Sequence, residues 1–431
     1  MTGSTVFKDA QSVTQDRETN IAGPADNYDV VIVGGGLVGA SLAIALAMPG
    51  VRDLRIAVVE AYPLPERGYQ PSFDERSTAL AWGTRLIYEQ LGIWGALKEH
   101  VTPIRHIHVS DRGRFGASRL NAADNRVEAL GYVVANQWIG ESLMARLPQL
   151  HGIDFLAPEK VCEIEPSGTR HQHRVMLESG RALQADLVVV ADGGRSGLPQ
   201  KLGFLVESKT YSQVAVIANI QTERHHQWVA YERFTEQGPL AMLPLGEQDT
   251  SVGRSALVWT LPEALAERYL QLSEGAFLDQ LQRTFGYRLG VIEKVGSTAH
   301  YPLSLSLVQQ QARPGVVLVG NAAHTLHPVA GQGYNLALRG AMHLSAAVRS
   351  AVANGVPAGD WRSLSPFLAA QESDKANTIR FSDQVVRLFS SDHVGVSALR
   401  DAGLLGLDLM PGLKNRFARH AMGLGGKQVI V

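Results

Sequence analysis

Tyr28-Asp-Val-Val-Ile-Val33, the turn Gly34-Gly-Gly36-Leu-Val-Gly39 and the apolar stretch Ala40–Met48 follow one another without a break. A short β-branched run suits a buried parallel strand. The stretch after the glycines suits a buried helix that Pro49-Gly50 stops. A second strand is expected over Arg55-Ile-Ala-Val-Val-Glu60, ending on an acid about 20 residues past the last glycine. Strand, G-x-G-x-x-G, helix, strand and acid, in that order, make a dinucleotide-binding unit. Gly34 is expected to make the tight turn, Gly36 to let the backbone approach a diphosphate, and Gly39 to let the helix pack close to the strand. The helix start offers free N–H groups and the positive end of its dipole to phosphate. Glu60 would accept from ribose hydroxyls. Its charge would repel a 2′-phosphate, so the bound nucleotide is FAD or NAD rather than NADP.

The same segment tests a membrane reading. Val30–Met48 is uncharged and close to the ~20 residues that a bilayer needs. Gly34, Gly35, Gly36 and Gly39 interrupt it, which suits strand, turn and helix instead. Residues 1–27 are polar, with no apolar leader, and are expected to form a disordered tail. The location expected for the whole chain is cytoplasmic. Lys plus Arg number 40 and Asp plus Glu 41, a net charge of -1, which argues against a nucleic-acid partner. The single cysteine, Cys162, excludes an internal disulfide framework and a Cys-based zinc site. No metal is expected, and Cys162 reads as a small buried hydrophobe.

Glycine numbers 43 of 431 residues, above the usual ~7%, and two later clusters hold part of the excess. Ala185-Asp-Leu-Val-Val-Val-Ala-Asp-Gly193 reads as a buried strand ending in Asp192-Gly193. Pro314-Gly-Val-Val-Leu-Val-Gly-Asn321 reads as another, ending in Gly320-Asn321. Pro328-Val-Ala-Gly-Gln-Gly-Tyr-Asn335 then reads as a Gly-rich loop entering a helix with free N–H groups. An NAD dehydrogenase needs no such late elements. A flavin does, because its ribitol and ring lie far along the chain from its adenine half.

These residues resemble the class A flavoprotein monooxygenases, the para-hydroxybenzoate hydroxylase-like family. The resemblance covers about Tyr28 to the C-terminus. It implies that Asp192-Gly193 lie near both flavin and nicotinamide, and that Gly320-Asn321 meet the ribitol. The family carries an acid where Asn321 stands, so hydrogen bonding survives there and the charge does not. Pro328 is similar to the proline lining the hydroxylation side of the flavin. Gly331-Gln332-Gly333-Tyr-Asn335 is similar to the loop whose backbone N–H groups hold the pyrimidine end of the ring. Within the family, Phe73-Asp-Glu-Arg-Ser-Thr-Ala-Leu-Ala81 and Gly320–Asn335 resemble the ubiquinone-biosynthesis hydroxylases, and softer matches point to those acting on 2-polyprenyl-6-methoxyphenol. Arg76 would then lie beside the flavin, offsetting charge on the reduced ring.

The fold expected is α/β, α+β overall: a Rossmann-like FAD domain of the para-hydroxybenzoate hydroxylase type, an antiparallel-sheet substrate domain and a helical C-terminal tail. The FAD domain is expected over residues 28–103, 135–205 and 304–356, the substrate domain over 104–134 and 206–303, and the tail over 357–431. The activity implied is an NAD(P)H- and O2-dependent monooxygenase with non-covalent FAD, the oxygen being carried as a flavin C4a-hydroperoxide. Other ring hydroxylases of the pathway, and a reductase of the geranylgeranyl type, share these motifs. With no second nucleotide fold, NAD(P)H would dock transiently. The cofactor supplies the hard chemistry, so no catalytic acid or base is named. His106 and His108 share one face of an expected strand, and His324 and His327 flank the flavin loop. Gly238–Leu245 could line the cavity or be sheet core. A β-branched residue at Gly333 is expected to strain the loop.

A prenylated substrate partitions into membranes. The chain would therefore touch a membrane surface or receive the lipid from a complex of ubiquinone-biosynthesis proteins. Leu413, Phe417, Ala421 and Leu424 recur on one side of a tail helix whose other side is basic, so this helix either contacts a membrane peripherally or packs on its own domain. The purified protein is expected to be yellow with one FAD per chain. Acid precipitation should release all the flavin, and colour retained by the pellet would contradict non-covalent binding.

Overall fold

The computed structural model describes residues 26–50, 52–63, 77–113, 117–168, 171–246, 253–325, 331–389 and 411–425. The β-branched run forms the strand Asp26–Val33, flanked by parallel strands Ala182–Val190 and Ile56–Val59. Val316–Leu318 extends the sheet on one side and Ile153–Leu156 on the other. Side chains alternate between the two faces of a strand. Val30 and Ile32 accordingly enter a core with the helices Leu37–Leu46 and Gln332–Ala353. Val31 and Val33 enter a second core with the antiparallel strands Val161–Pro166 and His173–Leu177. Covered on both faces, the central strands carry apolar residues without alternation.

Helix Gln332–Ala353 is joined to helix Trp361–Phe389 by a bidentate pair: Arg339 Nε donates to Asp374 Oδ2 at 2.7 Å and a terminal nitrogen donates to Oδ1 at 3.1 Å. Both side chains are nearly buried, where one charge without the other would be costly.

Among the described residues a second sheet has nine strands. The pairing around its long strand Val206–Thr222 is antiparallel, with Gly253–Pro262 on one side and Ala299–Val308 on the other. Val229–Phe234 and His106–Asp111 pair in parallel. Helices Glu263–Leu270 and Glu274–Phe285 cover one face, burying Trp259, Phe277, Leu281 and Phe285. Strands run across three of the joins expected between the domains. Val308 still pairs with Val206, so Ala299–Val308 runs across the expected join at 303/304. Gly131–Ala135 pairs with Ser77–Ala81 and with Thr102–Ile104, across those at 103/104 and 134/135. Motif glycines mark cofactor contacts, whereas sheet membership depends on pairing between distant segments.

The tail helix, Pro411–Ala421, packs on its own domain. Ala418 and Met422 are buried against Leu120, Ala122 and Leu130. The buried line therefore lies one position beyond the expected one: Phe417, Ala421 and Leu424 are half-buried, and the side chain of Leu413 lies outside the described residues. The backbone N–H of Gly83 donates to the carbonyl of Met422 at 2.9 Å, securing the end of the helix. Arg416 and Arg419 remain exposed. Among the described residues no helix is long and apolar enough to cross a membrane. Cys162 corrects its expectation. It is exposed, because its strand lies in the antiparallel part of the sheet and keeps a wet face.

Truncating Met422 to Ala should cost about 2–5 kcal/mol, as for other buried large side chains. Urea unfolding of the full chain measures this, and no change would show that the tail is not part of the packed structure.

Candidate active site

The turn after the first strand is built by backbone proximity. Gly34 has φ +104°, and a Cβ there would lie 2.7 Å from the carbonyl oxygen of Ala191. A Cβ on Gly39 would lie 1.9 Å from the carbonyl oxygen of Gly34. Gly36 precedes helix Leu37–Leu46 with extended backbone and no side-chain cap, so first-turn N–H groups stay open to a ligand. Glu60, 5% exposed, ends the second strand. Its Oε2 accepts from Gly35 N at 2.7 Å and its Oε1 from Tyr62 N at 3.1 Å. These bonds hold the carboxylate in place and leave it lone pairs for a hydroxyl.

Asp192 shapes the second loop. Its two oxygens accept from Gly194 N and Ser196 N at 2.9 and 2.8 Å. Gly320 follows the strand Val316–Leu318 with Val38 beneath it, and Asn321 beside it is exposed. Gly331, with φ +59°, precedes helix Gln332–Ala353, again without a side-chain cap. The strain argued for Gly333 belongs here. Gly333 lies inside the first helical turn with ordinary backbone angles, and a Cβ on it would meet nothing within 4 Å.

Asn335 has a role that the sequence does not reveal. Its Oδ1 accepts from Ala81 N at 2.9 Å and Thr84 Oγ1 at 2.7 Å, and its Nδ2 donates to the carbonyls of Ala79 and Gly331 at 2.9 and 2.8 Å. The amide thus has both donors and both lone pairs engaged. It binds the Gly331 loop to the strand Ser77–Ala81, and it is a positioning residue. Tyr334 turns away to share a hydrogen bond with Tyr88, and burial pushes its hydroxyl up to about 12.

Gly34, Gly36, Glu60, Asp192, Gly193, Gly320, Asn321, Gly331, Gln332, Gly333 and Asn335 line one cavity of about 890 Å³. Gly39 stands behind it as a packing residue. Arg76, Pro328 and His327 lie outside the described residues. The facing wall is the second sheet, through Ile107, Val109, Ala230, Ala241, Leu243 and Val258. The strand Leu240–Leu245 resolves its two readings by alternation: Ala241 and Leu243 face the cavity, while Leu240 and Met242 enter the core.

The same alternation turns His106 and His108 to the opposite face from Ile107 and Val109. His106 Nδ1 lies 3.0 Å from Asn121 Oδ1. Burial and the nearby Arg288 and Arg119 lower His108 to about 4. Lys160 and Arg195 are the cations lining the cavity among the described residues. Phe417 and Ala421 of the tail, and Asn136, which accepts from Thr78 Oγ1 at 2.5 Å, also line it. Nothing in their local sequence separates these from ordinary packing residues.

The arrangement fits FAD. Two uncapped helix starts and a fixed carboxylate line a cavity of the size usual for cofactors, and the Gly34 turn has no room for a side chain. Residues 27–357 match the family model described as FAD binding domain. The chain is 34% identical to "Ubiquinone hydroxylase UbiL" of Rhodospirillum rubrum, over 94% of this chain and 91% of that protein. It is 28% identical to "3-demethoxyubiquinol 3-hydroxylase" of Escherichia coli, over 92% and 98%. Its fold is similar to that of p-nitrophenol 4-monooxygenase PnpA from Pseudomonas putida, with a TM-score of 0.75 and 18% identity, covering 93% of this chain and 99% of that one. The fold and cavity define a flavin-binding α/β protein, and the chain belongs to the FAD-binding family of that model. Within it, the chain is an FAD-dependent monooxygenase of the class A aromatic hydroxylase type.

Two outcomes follow from this geometry. Glu60→Lys should weaken FAD binding about tenfold or more, through the lost acceptor and the displaced Gly35 N–H. Fluorescence titration of the apoprotein measures this, and unchanged affinity would remove Glu60 from the site. The second outcome concerns pH. His324 is 2% exposed, and neither ring nitrogen has a hydrogen-bond partner among the described residues. Burial, with Lys375 nearby, lowers it from 6.5 to about 4. The unfolded chain therefore binds the proton more readily. Stability is fully present above about pH 6.5 and falls as pH drops toward 4. Urea midpoints should decline over that window less steeply in His324→Gln than in the wild type. Parallel declines would contradict a neutral buried His324.

Proposed function

We propose that this enzyme hydroxylates the ring of a phenol carrying a polyprenyl chain, in ubiquinone biosynthesis, with 2-polyprenyl-6-methoxyphenol as substrate and a benzoquinol as product. The supporting observation is the asymmetry of the cavity. One wall is Gly-rich with open N–H groups, and the other, from Ile107 to Val258, is apolar. The names of the relatives support the pathway. They include more than one ring hydroxylase, so another ring position is the second reading.

FAD, once bound, supplies the redox chemistry, so that phenol, O2, NAD(P)H and a proton give the hydroxylated ring, water and NAD(P)+. The chain's own residues bind and orient. The uncapped turn before helix Leu37–Leu46 and Lys160 suit the diphosphate, Glu60 the ribose, and Asn321 the ribitol. Gln332 and Gly333 would offer backbone N–H groups to the ring edge, from a loop that Asn335 holds through the Gly331 carbonyl. Ala241, Leu243 and Val258 exclude water, which protects the oxygen-transfer step from wasteful breakdown to hydrogen peroxide. The phenol hydroxyl itself directs substitution to the para carbon.

With the purified holoenzyme, a short-chain prenyl methoxyphenol and 18O2, NAD(P)H oxidation should equal product formed, and the product should carry one 18O atom. Mass spectrometry of lipids from a deletion strain should show the unhydroxylated phenol accumulating. A product with a reduced C=C bond and no O2 uptake would instead assign a reductase.

A further inference from the structure

The tail helix brings side chains to the cavity that the flavin does not require. Phe417 and Ala421 line the same continuous space as Gly331, Gln332 and Asn335. Ile107, Leu120 and Leu130, which share a packed cluster with the tail, line the same cavity, as do Leu80, Ile104 and Ser118. Ala418 and Met422, on the neighbouring side of the helix, are buried against Leu120, Ala122 and Leu130, with Trp82 and Ile107 packed beside them. Phe417 packs against this cluster as well, so the helix is fixed with Phe417 at the boundary between core and cavity. Two hydrogen bonds set its position relative to the flavin loop. Gln332 Nε2 donates to the carbonyl of Ala421 at 3.3 Å, and Gly83 N donates to that of Met422 at 2.9 Å.

An apolar arm of this kind has no partner in a small polar phenol. Ser118, on the strand Ala117–Asn121, offers one buried hydroxyl there, and the leucine and isoleucine side chains around it favour burial of hydrocarbon. Taking the substrate to be the prenylated phenol proposed above, we infer that the arm between the tail helix and the strands Thr102–Ile104, His106–Asp111 and Ala117–Asn121 is the subsite for the first isoprene units of its chain, with Phe417 as the specificity-determining residue. The Ala421–Gln332 hydrogen bond holds this wall in register with the loop that positions the ring, so chain and ring are gauged from one fixed frame. The tail's apolar residues thereby serve both the packed core and the substrate, rather than a membrane surface.

The test compares two ligands on the FAD-loaded, full-length enzyme: a 2-prenyl-6-methoxyphenol with two isoprene units, and 2-methoxyphenol without a chain. Equilibrium dissociation constants come from titration of the flavin absorbance, and KM from NAD(P)H oxidation. Wild type should prefer the prenylated ligand. Phe417→Asp, which places a charge on the arm, should reduce that preference about tenfold or more. Phe417→Leu should keep most of it, and Phe417→Trp should shift it toward shorter chains. Should Phe417→Asp fail to fold, Phe417→Ala is read in its place and should reduce the preference in the same direction. A preference ratio equal to that of wild type in the soluble variants, with both ligands affected alike, would overturn the subsite. If wild type hydroxylates neither phenol, the failure lies with the substrate proposed above, and the ligand ratios in the dissociation constants still decide whether the arm accepts a chain.

Discussion

Backbone meets backbone at Gly34 and Gly39, and the rest of the site depends on that approach. With a Cβ on Gly39 only 1.9 Å from the carbonyl of Gly34, no other residue lets the first helix start so close to the first strand. That closeness aims the helix start into the cavity and puts Gly35 within reach of Glu60. It also brings Ala191, at the end of the neighbouring strand, against Gly34, so the Asp192 loop forms beside that turn. Val38, one residue into the same helix, lies under Gly320. Three segments distant in the chain thus share one wall because one turn has no side chains in it.

The second organising contact is the amide of Asn335. Gly331 supplies a left-handed turn, but the turn alone does not say where the helix after it points. Four hydrogen bonds to Ala79, Ala81, Thr84 and Gly331 do. An Asp here would present only acceptors to the carbonyls of Ala79 and Gly331, and a Leu would leave buried backbone groups unpaired, which costs more than a hydrogen bond is worth. One turn further along, Arg339 then secures the same helix to Asp374.

Much of the Gly-rich wall of the cavity was legible because tight turns after β-branched runs require glycine at defined places. The apolar wall was less so. Its residues are ordinary strand residues, and only pairing shows that Ile107, Ala230, Ala241 and Val258 share a face. His106 and His108 attracted attention as chemistry-bearing residues, yet their neighbours Ile107 and Val109 occupy the cavity side. The tail helix was legible as amphipathic, but its buried line was displaced by one residue, because a short pattern of small and large apolar residues fits two neighbouring stripes. Cys162 was misjudged since its residue type favours burial while its strand keeps one side wet. Gly333 was credited with the strain that belongs to Gly331, as G-x-G alone does not tell which glycine turns and which begins the helix.

A crystal structure of the FAD-loaded protein should show diphosphate density at the start of helix Leu37–Leu46, ribose at Glu60, and the flavin ring between the Gln332–Gly333 backbone and the face formed by Ala241, Leu243 and Val258. Density for the ring outside that cavity, or with its pyrimidine edge away from Gln332 and Gly333, would contradict this placement.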